Sequence, residues 1–266
     1  MNLKPDLTTE EKMTNSFFNN KKIGIAGYGF VGKATHKGIL NDMPVLIHDL
    51  KRNTKLSDLQ DADTVFFCVP TDNQNDVNRL LDEIKKLKEI NKECKIIIRS
   101  TIPLGTSKRI EELIQDKIIY IPEFFRQRIW EEECGRRPLI VGHNGINVKE
   151  WVGDDDFLEC SLEEAELIKM FSNNFAALRV VFANHFYELA EQSNCNYDVI
   201  TQLFSKVMHP ESYLEVNENL RGFGGKCLPK DLDFIINTFN QLGLSQTLFD
   251  SVKKDNEQWK ITVRES

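Results

Sequence analysis

The chain has 266 residues, 41% of them hydrophobic, which is enough apolar material for one large core or two ordinary domains, and we expect two. Asp and Glu outnumber Lys and Arg by 41 to 34, so the chain lacks the basic excess of a general nucleic-acid binder. No apolar run is long enough to span a bilayer, and the first twenty residues are polar, so we predict a cytoplasmic protein without membrane or nucleic-acid partners.

The six cysteines and five histidines are scattered along the chain, without the CxxC or His/Cys spacing of a zinc site. We therefore expect reduced thiols, assign no metal site and give the histidines no chemistry. Any thiol chemistry then depends on the local surroundings of a single cysteine.

Regular structure is predicted to begin at residue 21, after a polar tail over residues 1–20. The run KKIGIA predicts a strand, GYGFVG places Gly27, Gly29 and Gly32 in GxGxxG spacing, and KATHKGIL predicts a helix. A strand, a glycine turn and a helix N-terminus let backbone N–H groups approach a pyrophosphate without interference from side chains. The motif predicts a dinucleotide site.

A second apolar run, PVLIHDL, ends in Asp49, about twenty residues after the glycines. A carboxylate at this spacing accepts hydrogen bonds from both hydroxyls of an adenosine ribose, which favours NAD over NADP. Lys51 and Arg52 follow closely and leave NADP as the less favoured alternative. A surface carboxylate without a ligand is the other interpretation of Asp49.

Later apolar runs alternate with helical patterns such as NDVNRLLDEIKKLKEI. The predicted strands lie at 64–70, 95–101, 117–123 and 137–143. This alternation is typical of a doubly wound parallel sheet, so we predict an α/β fold with a Rossmann-like NAD-binding domain over residues 21–157. Because few residues separate Asp49 from the next strand, one strand and one helix of the usual fold are expected to be missing.

In such a sheet, ligands bind beyond the carboxyl ends of the strands. The residues at those ends are therefore candidate site residues: Val69, Pro70, Thr71, Ser100, Thr101, Pro122 and Glu123. They supply hydroxyl groups and one carboxylate at the edge of the sheet where the glycine turn is also expected.

An all-helical domain is predicted for residues 158–266. Ser161 and Glu164 form a capping box, and the following stretch without Gly or Pro predicts one long helix. Lys169 and Asn173 are four residues apart, so an ammonium and an amide share a face and can point at one oxygen. Because apolar residues lie on several sides of this helix, we expect it to be buried and to form a homodimer interface.

The segment GFGGKCLPKD combines glycines at 222, 224 and 225 with Cys227 and two flanking lysines. The glycines permit positive φ angles and a close approach of backbone N–H groups to a phosphate or sugar. A helix expected to start near Pro229, together with the lysines, is expected to lower the pKa of the thiol. The segment predicts a nucleophilic cysteine rather than a buried structural one.

Several motifs occur together in one order: STIPLGTS, YIPEFFR, AELIKMFSNN, SYL followed by GFGGKCLPKD, and LFDSVKKDNEQ. In this respect the sequence resembles the UDP-glucose/GDP-mannose dehydrogenase family, from residue 21 to about residue 260. Members of that family oxidise the C6 alcohol of a nucleotide sugar to a carboxylate with two NAD+, through a thiohemiacetal and a thioester on a cysteine. The resemblance implies the same activity here.

The resemblance also implies a role for each matching position in the helical domain. Cys227 would be the nucleophile, Lys169 and Asn173 would stabilise the oxyanion, and Asp231 would position the lysine and water. The chemistry agrees, because oxidation of an alcohol to an acid removes four electrons and an aldehyde must be retained between two hydride transfers. A covalent thiol adduct retains it.

At the sheet edge, the resemblance implies that Glu123 is the base for thioester hydrolysis and that Thr101 holds water and cofactor. The residues implied to bind NAD are Gly27, Tyr28, Gly29, Phe30, Val31, Gly32, Asp49, Val69, Pro70, Thr71 and Thr101. The residues implied to bind the nucleotide sugar are Phe124, Phe125, Arg126, Tyr213, Leu214, Phe223 and Gly224.

Three features depart from the family pattern. Gln127 stands where the family has a second acid, and an arginine that precedes the SYL segment is replaced near Met208. We further expect a short form without the family's third, nucleotide-binding domain. All three departures bear on how the substrate is held.

Two other functions stay open at this point. A β-hydroxyacid-type dehydrogenase also joins a glycine-motif sheet to a helix with a Lys-x-x-x-Asn pair, but it performs one two-electron oxidation without a cysteine. A catalytically silent binding or assembly protein could keep the same fold. The thiol segment argues against the first alternative, and the complete set of candidate side chains argues against the second.

Overall fold

The computed structural model describes residues 16–18, 20–192, 194–207, 217–218, 220–241, 243 and 246–259. Its strands are β1 Ile23–Ala26, β2 Leu46–His48, β3 Thr64–Phe67, β4 Lys95–Ile98, β5 Ile118–Tyr120, β6 Leu139–His143 and β7 Phe157–Cys160. Its α-helices are α1 Phe30–Gly38, α2 Gln74–Ile90, α3 Thr106–Ile114, α4 Trp130–Glu133, α5 Lys149–Val152, α6 Leu162–Gln192, α7 Tyr197–Val207, α8 Cys227–Gln241 and α9 Thr247–Asn256.

The seven strands form one sheet in the order β2-β1-β3-β4-β5-β6-β7. Strands β1 to β5 are parallel, as the alternation of elements predicts. Strand β6 is antiparallel to β5 and parallel to β7, so the last two strands depart from the fully parallel prediction. The link from β5 to β6 contains only a short 3₁₀ turn and the four-residue helix α4, whereas a parallel neighbour needs a crossover across one face of the sheet.

The strand and helix expected to be missing after Asp49 are absent from this part of the sheet. Strand β3 pairs directly with β1, and the chain between β2 and β3 forms two 3₁₀ turns, Leu50–Arg52 and Leu56–Leu59. The sheet edge at β2 is therefore short and lies beside the glycine turn.

The sheet is buried on both faces because helices cover both sides. Alternate residues of β3 and β4 pack on opposite faces, with Phe67 and Ile98 in one core cluster and Phe66 and Ile97 in the other. Such strands are continuously apolar rather than alternating, which is why they can be recognised in the sequence.

The core and the sheet extend past residues 21–157 at both ends. Phe18, placed in the polar tail, is buried in the core 5.9 Å from the Phe66 ring centroid. At the other end, β7 extends the sheet to Cys160, beyond the limit drawn at residue 157. This edge strand is half-exposed, so no buried apolar run marks it in the sequence. No helix in the described ranges is long and apolar enough to cross a membrane.

The long helix α6 begins where predicted, and its start is closely packed on the sheet. The capping box forms, since Glu164 N donates to Ser161 Oγ (3.2 Å) and Ser161 N donates to Glu164 Oε2 (2.8 Å). Gly142 in β6 permits the close approach, because a Cβ added there would lie 2.5 Å from Ala165 Cβ. The first turns of α6 are therefore fixed against the strands.

We expect Gly142→Ala to lower the free energy of unfolding by about 1 to 3 kcal/mol, because the added methyl overpacks the contact between β6 and α6. Gly135→Ala is the matched control, since a Cβ there meets no atom within 4 Å. Urea denaturation measures both variants. Equal stability of the Gly142 variant and wild type would show that α6 is not tightly docked.

Candidate active site

The glycine turn between β1 and α1 has the shape of a dinucleotide cradle. Gly27 has φ 85°, and a Cβ there would lie 2.6 Å from the carbonyl oxygen of Cys68. A Cβ on Gly32 would lie 2.1 Å from Gly27 O. A Cβ on Gly29 would meet no atom within 4 Å, so open space adjoins the N-terminus of α1. Two glycines are needed for the turn itself, and the third leaves room for an anionic group to approach the backbone.

Asp49 joins this turn to the end of β2. Its Oδ2 accepts from Tyr28 N at 2.6 Å, and its Oδ1 accepts from Lys51 N at 2.8 Å. The Arg52 guanidinium lies over the Tyr28 ring, 4.4 Å from the centroid. Each carboxylate oxygen keeps a further lone pair, so the geometry is compatible with the predicted contacts to ribose hydroxyls.

The ends of β3 and β4 are joined by hydroxyl hydrogen bonds. Thr71 Oγ1 donates to Thr101 O at 2.5 Å, and Ser100 Oγ donates to Val69 O at 2.7 Å. Thr71, Ser100 and Thr101 are buried, whereas Pro70 is exposed. Of the other residues predicted to contact NAD, Phe30 is exposed at the start of α1 and Val31 packs against the core.

A buried ionic cluster joins the sheet edge to the helical domain. Lys169 Nζ lies 2.9 Å from Glu123 Oε1 and donates to Glu123 O at 2.6 Å. It lies 3.4 Å from Asn173 Oδ1, and Asn173 Nδ2 in turn donates to Asp231 Oδ2. The structure thus brings together four of the predicted catalytic residues, from the segment after β5, from α6 and from α8.

The charges of this cluster depend on one another. Burial acts to lower the pKa of Lys169, but Glu123, Asp231 and Cys227 together raise it above its ordinary value, so the ammonium is charged. Burial raises the pKa of Asp231, while Lys230 and Lys169 act in the opposite direction. Asp231 Oδ1 lies 3.8 Å from Lys230 Nζ and is buried without a hydrogen-bond partner in the described part of the chain. This oxygen is available to an incoming water or hydroxyl group.

Cys227 is the first residue of α8, two positions before the predicted start. Burial raises the pKa of its thiol, Glu123 raises it further, and Lys169 and Lys230 oppose both effects. The prediction of a lowered thiol pKa is therefore wrong for the free protein, because loss of solvent outweighs the nearby cations. The resting site holds a protonated thiol beside a charged lysine.

The thiol loop, residues 222–226 just before Cys227, is held by a residue for which the sequence analysis predicts no role. Asn256 in α9 accepts from Phe223 N at 2.6 Å and donates to Phe223 O at 2.8 Å. Gly222 and Gly225 have positive φ (34° and 74°), whereas Gly224 is not among the positive-φ glycines. Asn256 lies in the LFDSVKKDNEQ motif, which is the signal that could have indicated it.

A second unpredicted residue, Arg99, supports the backbone below Glu123. The buried guanidinium donates to Thr35 Oγ1 (3.2 Å), Ile121 O (2.9 Å) and Pro122 O (3.5 Å). Burial lowers its pKa from the ordinary value. Arg99 thereby ties α1 to the strand end that carries the predicted base. A charged residue inside the apolar run KIIIRST is its sequence signal.

The residues predicted to contact the sugar differ in exposure, and some of them lie outside the described residues. Phe124 is exposed and its ring centroid lies 5.5 Å from Lys169 Nζ, and Phe125 beside it is half-buried. Arg126 donates to Glu133 Oε1 from two nitrogens, at 2.9 and 2.7 Å. In the thiol loop, Phe223 is buried and Gly224 is half-buried. Tyr213, Leu214 and Met208 lie outside the described residues.

A glycine-turn sheet joined to a helical domain that supplies a lysine and a thiol is a dinucleotide-binding fold of the kind used by oxidoreductases. Two sequence models of one family match most of the chain. The NAD binding domain model matches residues 45–152, and the central domain model matches residues 163–258. The chain belongs to the UDP-glucose/GDP-mannose dehydrogenase family, and NAD is its cofactor.

Individual relatives agree with this assignment. The UDP-glucose 6-dehydrogenase of Campylobacter jejuni is 29% identical over 215 residues, which cover 74% of this chain and 53% of that protein. The Streptococcus pneumoniae enzyme is 28% identical over 76% of this chain and 56% of its own length. A UDP-glucose dehydrogenase structure from Pyrobaculum islandicum shares the fold, with TM-score 0.71 and 20% identity over 90% of this chain and 68% of its own. The chain spans about half the length of the curated relatives it matches.

The buried thiol gives a pH prediction for Cys227. Because its pKa is raised, the thiolate forms only at higher pH, and the midpoint of its alkylation profile is expected above the value of about 8.5 for an ordinary cysteine. Iodoacetamide labelling at a series of pH values, quantified by mass spectrometry of the Cys227 peptide, measures the midpoint against a small-molecule thiol. A midpoint below that of the small thiol would contradict the assigned electrostatics.

Proposed function

We propose that this chain carries the NAD and thiol sites of a nucleotide-sugar dehydrogenase that oxidises the C6 alcohol of a UDP-glucose-like substrate to a carboxylate. The observation that carries this proposal is the placement of Cys227 at the start of α8, within the electrostatic field of Lys169 and Glu123. A thiol, a cation and a carboxylate in one buried site are the groups that a covalent aldehyde oxidation requires.

The cofactor would lie along the glycine turn and the strand ends, held by backbone N–H groups at Gly29, by Asp49 and by the Thr71–Thr101 pair. In each of the two oxidation steps one NAD+ would accept a hydride from C6 of the sugar, and a second NAD+ would replace the first NADH between the steps. The open space at Gly29 and the lone pairs left on Asp49 fit this group. The chain's own residues then handle the protons, the oxyanion and the covalent intermediate.

In the first oxidation, the C6 hydroxyl gives its proton to a water bound at Asp231 Oδ1, and negative charge develops on the C6 oxygen. The Lys169 ammonium stabilises this charge, and the Asn173 amide supplies a second donor once it turns from Asp231. Loss of the hydride from C6 then leaves an aldehyde. Because the lysine is already buried and charged, little reorganisation is needed at that moment.

In the second oxidation, the Cys227 sulfur attacks the aldehyde carbon. The C–S bond forms, the carbonyl electron pair moves to oxygen, and the thiol proton passes to that oxygen, which gives a thiohemiacetal that Lys169 stabilises. Loss of the second hydride from carbon and of the hydroxyl proton to water converts it into a thioester. Glu123 then accepts a proton from water, the hydroxide adds to the thioester carbon, and the C–S bond breaks to release the carboxylate.

The two alternatives make less use of this arrangement. A two-electron dehydrogenase needs the lysine and the amide but not a thiol at the start of α8. A silent binding protein needs none of the buried charges, and keeping Glu123, Lys169 and Asp231 buried without a catalytic role carries a desolvation cost of several kcal/mol per ion. We also propose a cytoplasmic location, since the cysteines are scattered along the sequence without the regular spacing of a disulfide framework.

Two variants test the covalent step. With NAD+ and UDP-glucose, Glu123→Gln is expected to accumulate a mass adduct on Cys227, because the thioester forms but the base for its hydrolysis is missing. In Cys227→Ser the rate of acid formation is expected to fall by a factor of about 100 or more, because a serine ester forms and hydrolyses poorly in this site. Intact-mass spectrometry and an acid assay measure these outcomes. Full acid formation by Cys227→Ser would show that the thiol is not used.

We also propose a homodimer formed through α6. Phe171 is 73% exposed, Phe175 is 49% exposed, and their rings stack with centroids 6.2 Å apart. Leu167, Ile168 and Leu178 on the same helix are exposed as well. An apolar face of this size on one helix is typical of a surface covered by a partner, and the same face on a second copy is self-complementary.

Phe171→Glu is expected to dissociate the dimer at micromolar concentration, because the interface would bury two charges against apolar side chains. Leu248→Glu is the matched control, since Leu248 is an exposed leucine on α9 rather than on α6. Sedimentation velocity measures the mass of both variants and of wild type. A wild-type protein that sediments only as a monomer would exclude the dimer.

A further inference from the structure

Glu166 is a buried carboxylate on α6 to which the proposed chemistry gives no role. It lies one turn before Lys169 and has no exposed surface. Its Oε2 accepts from Gly105 N at 2.6 Å, and its Oε1 accepts from Ser107 N at 2.7 Å. The first N–H group belongs to the residue just before α3 and the second to the first turn of α3, shortly after Thr101.

This contact is a helix cap supplied by another element. The N-cap position of α3 is Gly105, which has φ 85° and no side chain to accept hydrogen bonds from the free N–H groups. A local Ser or Asp would serve that purpose at the surface with little cost. Here burial raises the pKa of Glu166 to about 7, against the opposing effect of the two N–H bonds. Capping α3 alone therefore does not explain a buried carboxylate on α6, and the contact between the two helices does.

The position of Glu166 determines where Lys169 lies. Residues three apart on a helix share a face, so the two side chains leave α6 on the same side. Glu166 reaches the start of α3, and Lys169 reaches Glu123 after β5. Together with the tight contact between Gly142 and Ala165, the Glu166 bonds fix both the rotation and the translation of α6 against the sheet.

We propose that Glu166 is a positioning residue: by binding the start of α3, it holds α6 in the register that places the Lys169 ammonium beside Glu123 and within electrostatic reach of Cys227. The expected effect of Glu166 on catalysis rests on the proposed function. The expected effect on the position of the Lys169 ammonium does not, because that position can be tested through the reactivity of Cys227 without turnover.

The pH profile of Cys227 alkylation reports this location. Four charged or titratable groups affect the thiol: Glu123, Lys169, Lys230 and Asp231. Of these, Lys169 is the largest opposing cation, so moving it away makes the thiolate less favourable and raises the alkylation midpoint. A change that only lowers global stability does not move this midpoint in the folded protein.

Glu166→Gln is the test variant, since it keeps the shape but presents an amide N–H₂ to one of the two backbone donors. Its Cys227 midpoint is expected to rise by about 0.5 to 1 pH unit relative to wild type. Glu163→Gln is the matched control, one turn earlier and exposed, and its midpoint is expected to equal that of wild type. Glu166→Asp, which keeps the charge on a shorter side chain, is expected to give a smaller rise and serves if the glutamine variant does not fold.

A second measurement separates the mechanism from an indirect effect. In a Lys169→Gln background, Glu166→Gln is expected to produce no further rise, because the ammonium it positions is gone. An unchanged midpoint in folded Glu166 variants, or a rise that persists without Lys169, overturns the proposal.

Steady-state kinetics test the effect on catalysis. Glu166→Gln is expected to lower kcat about tenfold or more with little change in KM for NAD+. A wild type that forms no NADH contradicts the proposed function and leaves the alkylation result valid.

Discussion

The buried ammonium of Lys169 is the interaction on which the rest of the site depends. A cation without solvent must have its partners in place, and breaking such a pair costs about 3 to 5 kcal/mol. Its partners come from separate parts of the chain, with Glu123 following β5 and Asp231 on α8, linked through Asn173. Folding of the helical domain against the sheet is therefore tied to assembly of the site.

Three segments near the site are each held by a side chain that hydrogen-bonds to backbone groups. Arg99 binds the carbonyls just before Glu123, Glu166 binds the start of α3, and Asn256 binds both backbone groups of Phe223 in the thiol loop. Such contacts pre-organise a site because they fix the main chain from which the reacting side chains extend. The site is thus held by polar contacts outside its own set of reacting groups.

Features that follow from hydrophobic periodicity and helix caps can be predicted from the sequence. Features that depend on contacts between residues distant in sequence cannot. The buried positions of α2, the capping box at Ser161 and the shortened link after Asp49 follow from local patterns. The direction of β6, the half-exposed strand β7 and the raised pKa of Cys227 depend on neighbours that are distant in sequence. Arg99 and Glu166 share this property, since their partners lie 22 and 59 residues away at Ile121 and Ser107. Of the two, Arg99 has a local sign, because it is a charged residue inside an apolar run.

The central claim is that one buried site removes four electrons from each sugar by keeping the aldehyde on Cys227. The most direct measurement is the amount of NADH formed per molecule of nucleotide sugar consumed, with excess NAD+ and with UDP-glucose, GDP-mannose or a UDP-acetylhexosamine. Two NADH per sugar, with a carboxylate as the product, is the result this account predicts. One NADH per sugar, with release of an aldehyde or ketone, would contradict it and identify a two-electron dehydrogenase.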